Sequence, residues 1–419
     1  MKRLLLWVFI CQAAVANAQT LTLERCYEMA IDYATLATQR SLQRSLSTSN
    51  QKAVAASLLP QADLNMQATY QSDVIALPIS MPGVDIPILS KDQYRATVDL
   101  KQVIYDGGYV AKQKKVMEHS LLVENSKLDI SLSALKDKVS GVYLGILLTD
   151  ENLKITRLIH ENISSNITRM EHKKAEGVVL KNNLDLLYVE RMRVEQRMIE
   201  MESSRALLLE MLSSFIGVEV TTSTIITLPL VQINQKVDSK RPEYQLFKAQ
   251  LKELDAKKRL INSKNMPKIL AFASAGYGRP GLNPMNNDFA SMFLAGANLS
   301  VPLTKWTLTK QEKRAMATQQ QLIGLQEIDF SRKNRSEILN QLTELNKYQK
   351  LIQTDASIVA KQEDIVASQE QRLLNGVITS TDYIVDLNAK KEALLNQKLH
   401  QIQLIQTQIA YNSLTGNNP

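Results

Sequence analysis

The chain is poor in the residues that punctuate or staple a compact domain. Its 419 residues include 14 glycines and 11 prolines, and only 5% are aromatic. So few turn formers exclude a fold of many short elements. The Gln, Leu, Lys, Glu and Ala that fill its middle and end favour long helices instead. There are 2 cysteines. Cys11 lies in an N-terminal apolar segment and follows no small residue, so it does not read as a lipid-attachment site. Cys26 is then left without a partner, which excludes an internal disulfide and makes it a small buried hydrophobe. The 4 histidines (His119, His160, His172 and His400) are scattered, with no H-E-x-x-H and no cysteine partners, so no metal site is expected. Neither a phosphate-cradling glycine loop nor a nucleophile–base constellation is present. The chain reads as a non-enzyme without a cofactor. Its net charge of +8 is not gathered into a basic stripe with interleaved aromatics, which argues against nucleic acid as a partner and for solvated helix faces.

Long apolar runs are also missing. Residues 1–18 form a signal-peptide pattern: Lys2-Arg3, an apolar core from Leu4 to Ile10, and Ala16-Asn17-Ala18 before a cleavage point at Gln19. After it no apolar run is long enough for a spanning helix. A spanning β-strand stays open, because its apolar residues alternate and never form a run.

What the chain does have is a repeat. Gly177-Val178 matches Gly376-Val377, Asn183 matches Asp382, Gly217 matches Gly416, and Val103 to Gly108 matches Pro302 to Thr307, each pair 199 residues apart. One structural unit is used twice. The first repeat covers 19–217 and the second 241–419, with a Thr-, Val- and Ile-rich linker, long enough for a short strand, over 218–240.

Within each repeat the order is the same. A helix over 22–58, with Thr22 as its cap, stops before Pro60. The period then changes from helical to two. Leu64, Met66, Ala68 and Tyr70 alternate with Asp63, Asn65, Gln67 and Thr69; Tyr94, Ala96, Val98 and Leu100 alternate with Arg95, Thr97, Asp99 and Lys101. This predicts a β-hairpin over about 60–105, with an irregular loop from Ser72 to Lys91. After the strand exit Tyr105-Asp106-Gly107-Gly108 comes a proline-free stretch of roughly 65 residues, about 100 Å of helix. It ends near the tip glycine Gly177, and a second helix returns. In the second half Arg241-Pro242-Glu243 opens the helix, a hairpin follows over about 267–303, Trp306 marks the exit, and a long helix, Gly376 and a return helix complete the unit.

Four strands with one apolar face each cannot span a membrane alone, since open edges leave backbone groups unpaired in lipid. Three chains would supply about 12 strands, enough to enclose a wide lumen. Arg95, Asp99, Lys101, Lys268 and Asn298 would line it. Tyr70, Tyr94, Tyr105, Tyr277, Phe293 and Trp306 lie near strand ends, where interfacial aromatics gather. The competing reading is a soluble periplasmic coiled-coil scaffold or adaptor with a water-facing sheet.

The doubled helix–hairpin–helix plan, Tyr-Asp-Gly-Gly at the strand exit, Arg-Pro-Glu at 241–243, the Gly-x5-Asn/Asp turns and Leu-Thr-Gly near the end resemble the TolC-like outer-membrane efflux proteins. The resemblance implies an α+β membrane protein: a homotrimer whose chains share one barrel of about 12 strands, continued by a tunnel of long coiled-coil helices in the periplasm. It implies location in the outer membrane of a Gram-negative bacterium, in contact with outer-membrane lipid. It further implies a passive exit duct in a tripartite efflux or type I secretion system, docked to a periplasmic adaptor and an inner-membrane pump of RND, ABC or MFS type. By the same resemblance Gly177, Val178, Gly376 and Val377 are adaptor-docking tips, and Asp382, Asp386 and Asn183 are the aperture-gate residues. Asp386 and the neutral Asn183 depart from the family pattern, which has a second acid three residues after the first where this chain has Val385. For Asp382 a helix-capping role stands beside the gate role. Thr304-Lys305-Trp306-Thr307 lacks the glycines of the first exit, so the second exit is expected to bend differently.

Overall fold

A computed structural model describes residues 20–74, 89–175, 181–233, 241–283 and 286–417. The signal segment and the first tip, Gly177-Val178, lie outside the described residues. The elements in chain order are β1 (Thr20–Leu21), α1 (Leu23–Tyr33), α2 (Leu36–Ala56), β2 (Gln61–Tyr70), β3 (Asp92–Tyr105), α3 (Tyr109–Ala175), α4 (Lys181–Ile216), β4 (Ile225–Ile226), α5 (Pro242–Ser263), β5 (Lys268–Arg279), β6 (Ala290–Ser300), α6 (Trp306–Leu374) and α7 (Ser380–Thr415). None of the described helices is long and apolar enough to cross a membrane.

The chain folds into two units. One comprises Met1–Thr38, Leu128–Pro242 and Phe330–Pro419; the other comprises Gln39–Lys127 and Glu243–Asp329. The long helices α3 and α6 contribute to both.

The first unit is helical and holds two apolar cores. In one, Leu23, Cys26, Tyr27 and Ala30 of α1 pack with Val139, Tyr143 and Ile146 of α3, Leu209 and Leu212 of α4, and Ile405 and Ile409 of α7. The spacing of the α1 residues is that of a single helix stripe. Cys26 is fully buried here, and burial pushes its thiol up to about 12, in keeping with a packing role. The linker supplies β4, which pairs in parallel with β1. The Tyr143 hydroxyl lies 2.9 Å from the Leu21 carbonyl oxygen and 2.6 Å from that of Thr227, closing this corner. The second core joins Ile163, Ile167 and Met170 of α3 with Leu184 and Leu187 of α4, Leu373 of α6, and Tyr383 and Leu387 of α7.

One expectation is corrected. The helix read over 22–58 is two helices, broken at Ala34 and Thr35. Thr22 caps α1, its hydroxyl accepting from the Arg25 N–H at 3.3 Å. At the other end the Ala34 N–H closes onto the Ala30 carbonyl and the backbone turns extended. The reason is burial: α1 buries a stripe, whereas α2 buries no residue. No glycine or proline marks the break, so the periodicity ran through it.

The second unit is built around one antiparallel sheet in the order β2-β3-β5-β6. The two hairpins are therefore joined edge to edge by β3 and β5, leaving β2 and β6 as open edges.

Candidate functional site

The strand registers decide which side chains share a face. Leu64 lies opposite Val98, Val98 opposite Ala275, and Ala275 opposite Phe293. Successive rows on that face carry Met66, Ala96 and Tyr277, then Ala62, Leu100, Ala273 and Ala295. The other face carries Asp63, Asp99, Ser274 and Leu294 in one row, and places Arg95, Lys101, Lys268 and Asn298 with them. The apolar face is bare: Leu64, Met66, Val98, Tyr277, Phe293 and Leu299 are all exposed. Leaving a large apolar side chain in water forfeits about 1.5–3 kcal/mol each, so a face of this size implies an apolar environment. The opposite face is polar on the first hairpin and mixed on the second, where Lys268, Ser274 and Asn298 share it with apolar residues. On the second it presents Leu270, Phe272, Met292 and Leu294 between glycines, which the alternation in the sequence did not disclose.

Aromatics mark both ends of the sheet. At the loop end Phe289 stacks on Tyr94 and Tyr277, with centroids 6.3 and 5.7 Å apart. Arg279 lies over the Tyr94 and Phe289 rings and bonds Asp92. At the helix end stand Tyr105, Tyr109 and Trp306. Tyr94 and Tyr105 are 11 residues apart. At about 3.3 Å per residue and a tilt of about 35–45° they are separated by about 26–30 Å along a membrane normal, close to the apolar band of a spanning barrel.

The first strand exit is a built turn. Asp106 accepts from the N–H groups of Gly108 and Val110, both at 2.7 Å, which satisfies the start of α3. Gly107 and Gly108 have φ of 72° and 74°, a region closed to most side chains. A Cβ on Gly107 would fall 2.6 Å from the Met266 Cβ. The second exit has no such residue. There Trp306 begins α6, Thr309 donates to the Trp306 carbonyl at 3.0 Å, and Asn265 donates to the Thr309 hydroxyl at 2.8 Å. The two exits do bend differently.

At the second tip α6 ends with Gly376 at φ 71°. Gly376 N–H reaches the Leu373 carbonyl at 3.0 Å and Val377 N–H the Arg372 carbonyl at 2.9 Å, the paired bonds of a Schellman end. An added Cβ on Gly376 would meet nothing within 4 Å. The backbone angle alone requires glycine there, and the surface above it is bare. Val377 beside it is 64% exposed. The Lys173 ammonium of α3 donates to the Leu374 carbonyl at the same helix end.

Asp382 belongs to a capping box at the start of α7. Its N–H donates to the Thr379 hydroxyl oxygen at 3.3 Å, and its carboxylate accepts from the Thr379 N–H at 3.0 Å and from that hydroxyl at 2.7 Å. The Thr379 hydroxyl, then its N–H, hold the carboxyl below its usual pKa. Asp386 accepts from Gln369 of α6 at 2.8 Å. Asn183 is half-buried in the first turn of α4, and neither carboxylate hydrogen-bonds to it. The two acidic gate candidates thus have separate partners within one chain, Thr379 for Asp382 and Gln369 for Asp386.

The structure adds a pair that the sequence did not single out. Asn166 of α3 donates to the Tyr383 hydroxyl of α7 at 2.8 Å, and each residue is only 1% exposed. Their mates at the 199-residue offset, Ile365 and Leu184, are apolar. An asparagine interrupting the Ile159, Ile163, Ile167 stripe is the signal that could have found it. Among the described residues the Asn166 carbonyl oxygen and the Ser380 hydroxyl have no partner. Tyr383→Phe is expected to strand Asn166 and cost about 1–3 kcal/mol. Asn166→Leu combined with Tyr383→Phe should recover most of it. A double-mutant cycle by chemical denaturation checks the sign; equal losses in single and double variants would refute the coupling.

No protein-family model matches the chain, and no curated protein matches it in sequence. Solved structures do match in fold. The outer membrane protein VceC from Vibrio cholerae superposes with a TM-score of 0.70 at 13% identity, over 94% of this chain and 96% of that one. The CmeC outer membrane channel of Campylobacter jejuni gives 0.71 at 12%, over 94% and 85%. The open state of the MtrE outer membrane channel of Neisseria gonorrhoeae gives 0.69 at 14%, over 94% and 89%. The chain has the fold of these proteins over 94% of its length, as the TolC-like resemblance implied.

Proposed function

We propose that this chain is one subunit of a TolC-like outer-membrane exit duct, a homotrimer that passively conducts substrates delivered by a periplasmic adaptor and an inner-membrane pump of RND, ABC or MFS type. The observation that carries the reading is the sheet: one bare apolar face, two open edges, and aromatics at both ends at a membrane-like separation. Closing such a sheet requires further strands, and sister copies supply them in the simplest way. The apolar face then meets outer-membrane lipid and the other face the lumen. A water-facing sheet, as a soluble scaffold would need, leaves that apolar face unexplained. The fold shared with outer membrane channels supports the same reading, including a place in the envelope of a Gram-negative cell.

The helical unit would be the periplasmic part. Gly376 and Val377, with Gly177 and Val178 by the repeat, form the docking tips. The open space over Gly376 suits the backbone approach of a partner helix. Asp382 would act at the aperture, where its copies around a threefold axis repel one another and attract cations, while its hydrogen bonds keep α7 capped. Asp386 and Asn183 lie on the same ends of α7 and α4 as secondary gate residues.

Purified protein added to a planar bilayer is expected to give discrete conductance steps. Asp382→Asn keeps an acceptor for the cap but removes the charge, and should shrink cation-carried steps by about twofold or more, because the ring no longer concentrates cations at the constriction. A protein that gives no steps rejects the duct. Steps of unchanged size in Asp382→Asn remove its charge from the gate and leave it a capping residue.

A further inference from the structure

At the loop end of the sheet, on its polar face, lies a cleft of about 200 Å³ lined by Gln67, Thr69, Gln71, Gln93 and Arg95, with the end of β5 as its floor. The register explains why these groups converge. Gln67 is directly opposite Arg95 and Thr69 directly opposite Gln93. On the next strand Gly278 stands opposite Arg95 and adds no side chain to fill the space.

Among the described residues none of the five side chains is engaged elsewhere: the Arg95 guanidinium makes no hydrogen bond or ion pair there, and the amides of Gln67, Gln71 and Gln93 and the Thr69 hydroxyl make none either. The neighbouring acids are taken. Asp92 is bound by Arg279. Asp99 accepts from Asn65 at 2.5 Å and from Thr97 at 3.3 Å, and lies about 13 Å along the strand from Arg95. Among the described residues no carboxylate lines the cleft.

A planar guanidinium without a counter-ion, flanked by amide and hydroxyl donors, matches the geometry of a tetrahedral or planar oxyanion. The volume suits a phosphate, a sulfate or one carboxylate-bearing end group rather than a whole drug-sized molecule. We infer that this cleft is an oxyanion-binding site, with Arg95 as the charged anchor and Gln67, Thr69 and Gln93 as supporting donors. Its ligand is a phosphate, sulfate or carboxylate group, whether a free inorganic ion or the end group of a larger organic solute. The inference stands on the strands of a single chain and not on the duct reading: protein that conducts nothing can still bind at Arg95, and a conducting protein can lack the site.

The test is calorimetric titration of the purified full-length protein with inorganic phosphate at low ionic strength. Saturable binding is expected, weakened about tenfold or more by Arg95→Gln, as for loss of a charge-assisted bond, and largely kept by Arg95→Lys. Repeating the titration with glycerol phosphate separates the sources. Arg95-dependent binding tighter than that of inorganic phosphate assigns the site to an end group on a larger solute, and equal or weaker binding assigns it to the free ion. No saturable heat in either setting, or equal binding by Arg95→Gln with the sheet intact by circular dichroism, overturns the proposal.

Discussion

Met66→Arg is expected to abolish assembly into the outer membrane, while Asn65→Arg, one residue away, leaves it intact. The two positions lie near the middle of β2 on opposite faces. Met66 is 74% exposed on the apolar face. Asn65 is on the polar face, bonded to Asp99 at 2.5 Å, so an arginine there meets a waiting carboxylate. Arginine on the lipid side of a barrel near the midplane costs about 2–4 kcal/mol in each chain, and three copies multiply the penalty at the moment of assembly. The contrast separates the two readings of the sheet. If that face met water, Met66→Arg would be an ordinary surface change worth under about 0.5 kcal/mol, and both variants would behave like the parent. Membrane fractionation and retention of a detergent-stable oligomer on gels are the readouts. Equal recovery of both variants would count against the duct.

Gly107→Ala should destabilise the chain by about 2–4 kcal/mol. Two costs combine. Placing alanine at φ 72° is worth about 1 kcal/mol or more, and a new Cβ 2.6 Å from the Met266 Cβ forces the packed α5–β5 junction to shift, typically about 1–3 kcal/mol. Gly108 supplies the control. Its φ of 74° is nearly the same, but the nearest atoms to an added Cβ belong to the flexible Lys112 end, 3.8 Å away. Gly108→Ala should therefore show the backbone cost alone. Chemical denaturation of the two variants gives the difference directly; if they lose equal stability, the close approach at Gly107 carries no weight.

The two glycines also show where sequence reasoning succeeds. Tyr105-Asp106-Gly107-Gly108 was legible as a strand exit because an acidic cap and consecutive glycines have few other uses. The four strands were legible because their period is two and changes from the helical period around them. The second tip was legible from Gly376 and Asp382, which match Gly177 and Asn183 at the 199-residue offset; the Thr379 partner of the cap was not read. Other features were not. Periodicity sorts residues by face but does not say which strands are neighbours, so the joining of β3 to β5 came only from the register. The break at Ala34 left no local mark, because its cause is the burial of α1 in a core made from distant residues. Asn166 and Tyr383 are 217 residues apart, and nothing in either segment names the other. The polar cleft at Arg95 combines β2 and β3 with a glycine of β5, a grouping that exists only once the sheet is assembled.

The open borders of that sheet have a consequence for how the protein matures. On the duct reading, a chain newly arrived in the envelope displays two unsatisfied ladders of amides, along β2 and β6, beside a greasy surface. Such a species adheres to any extended segment it meets, including its own kind in the wrong alignment. Maturation of the proposed trimer is then a race between correct threefold encounter and promiscuous sticking, and orphan chains would have to be kept scarce or shielded by an escort until their sisters arrive.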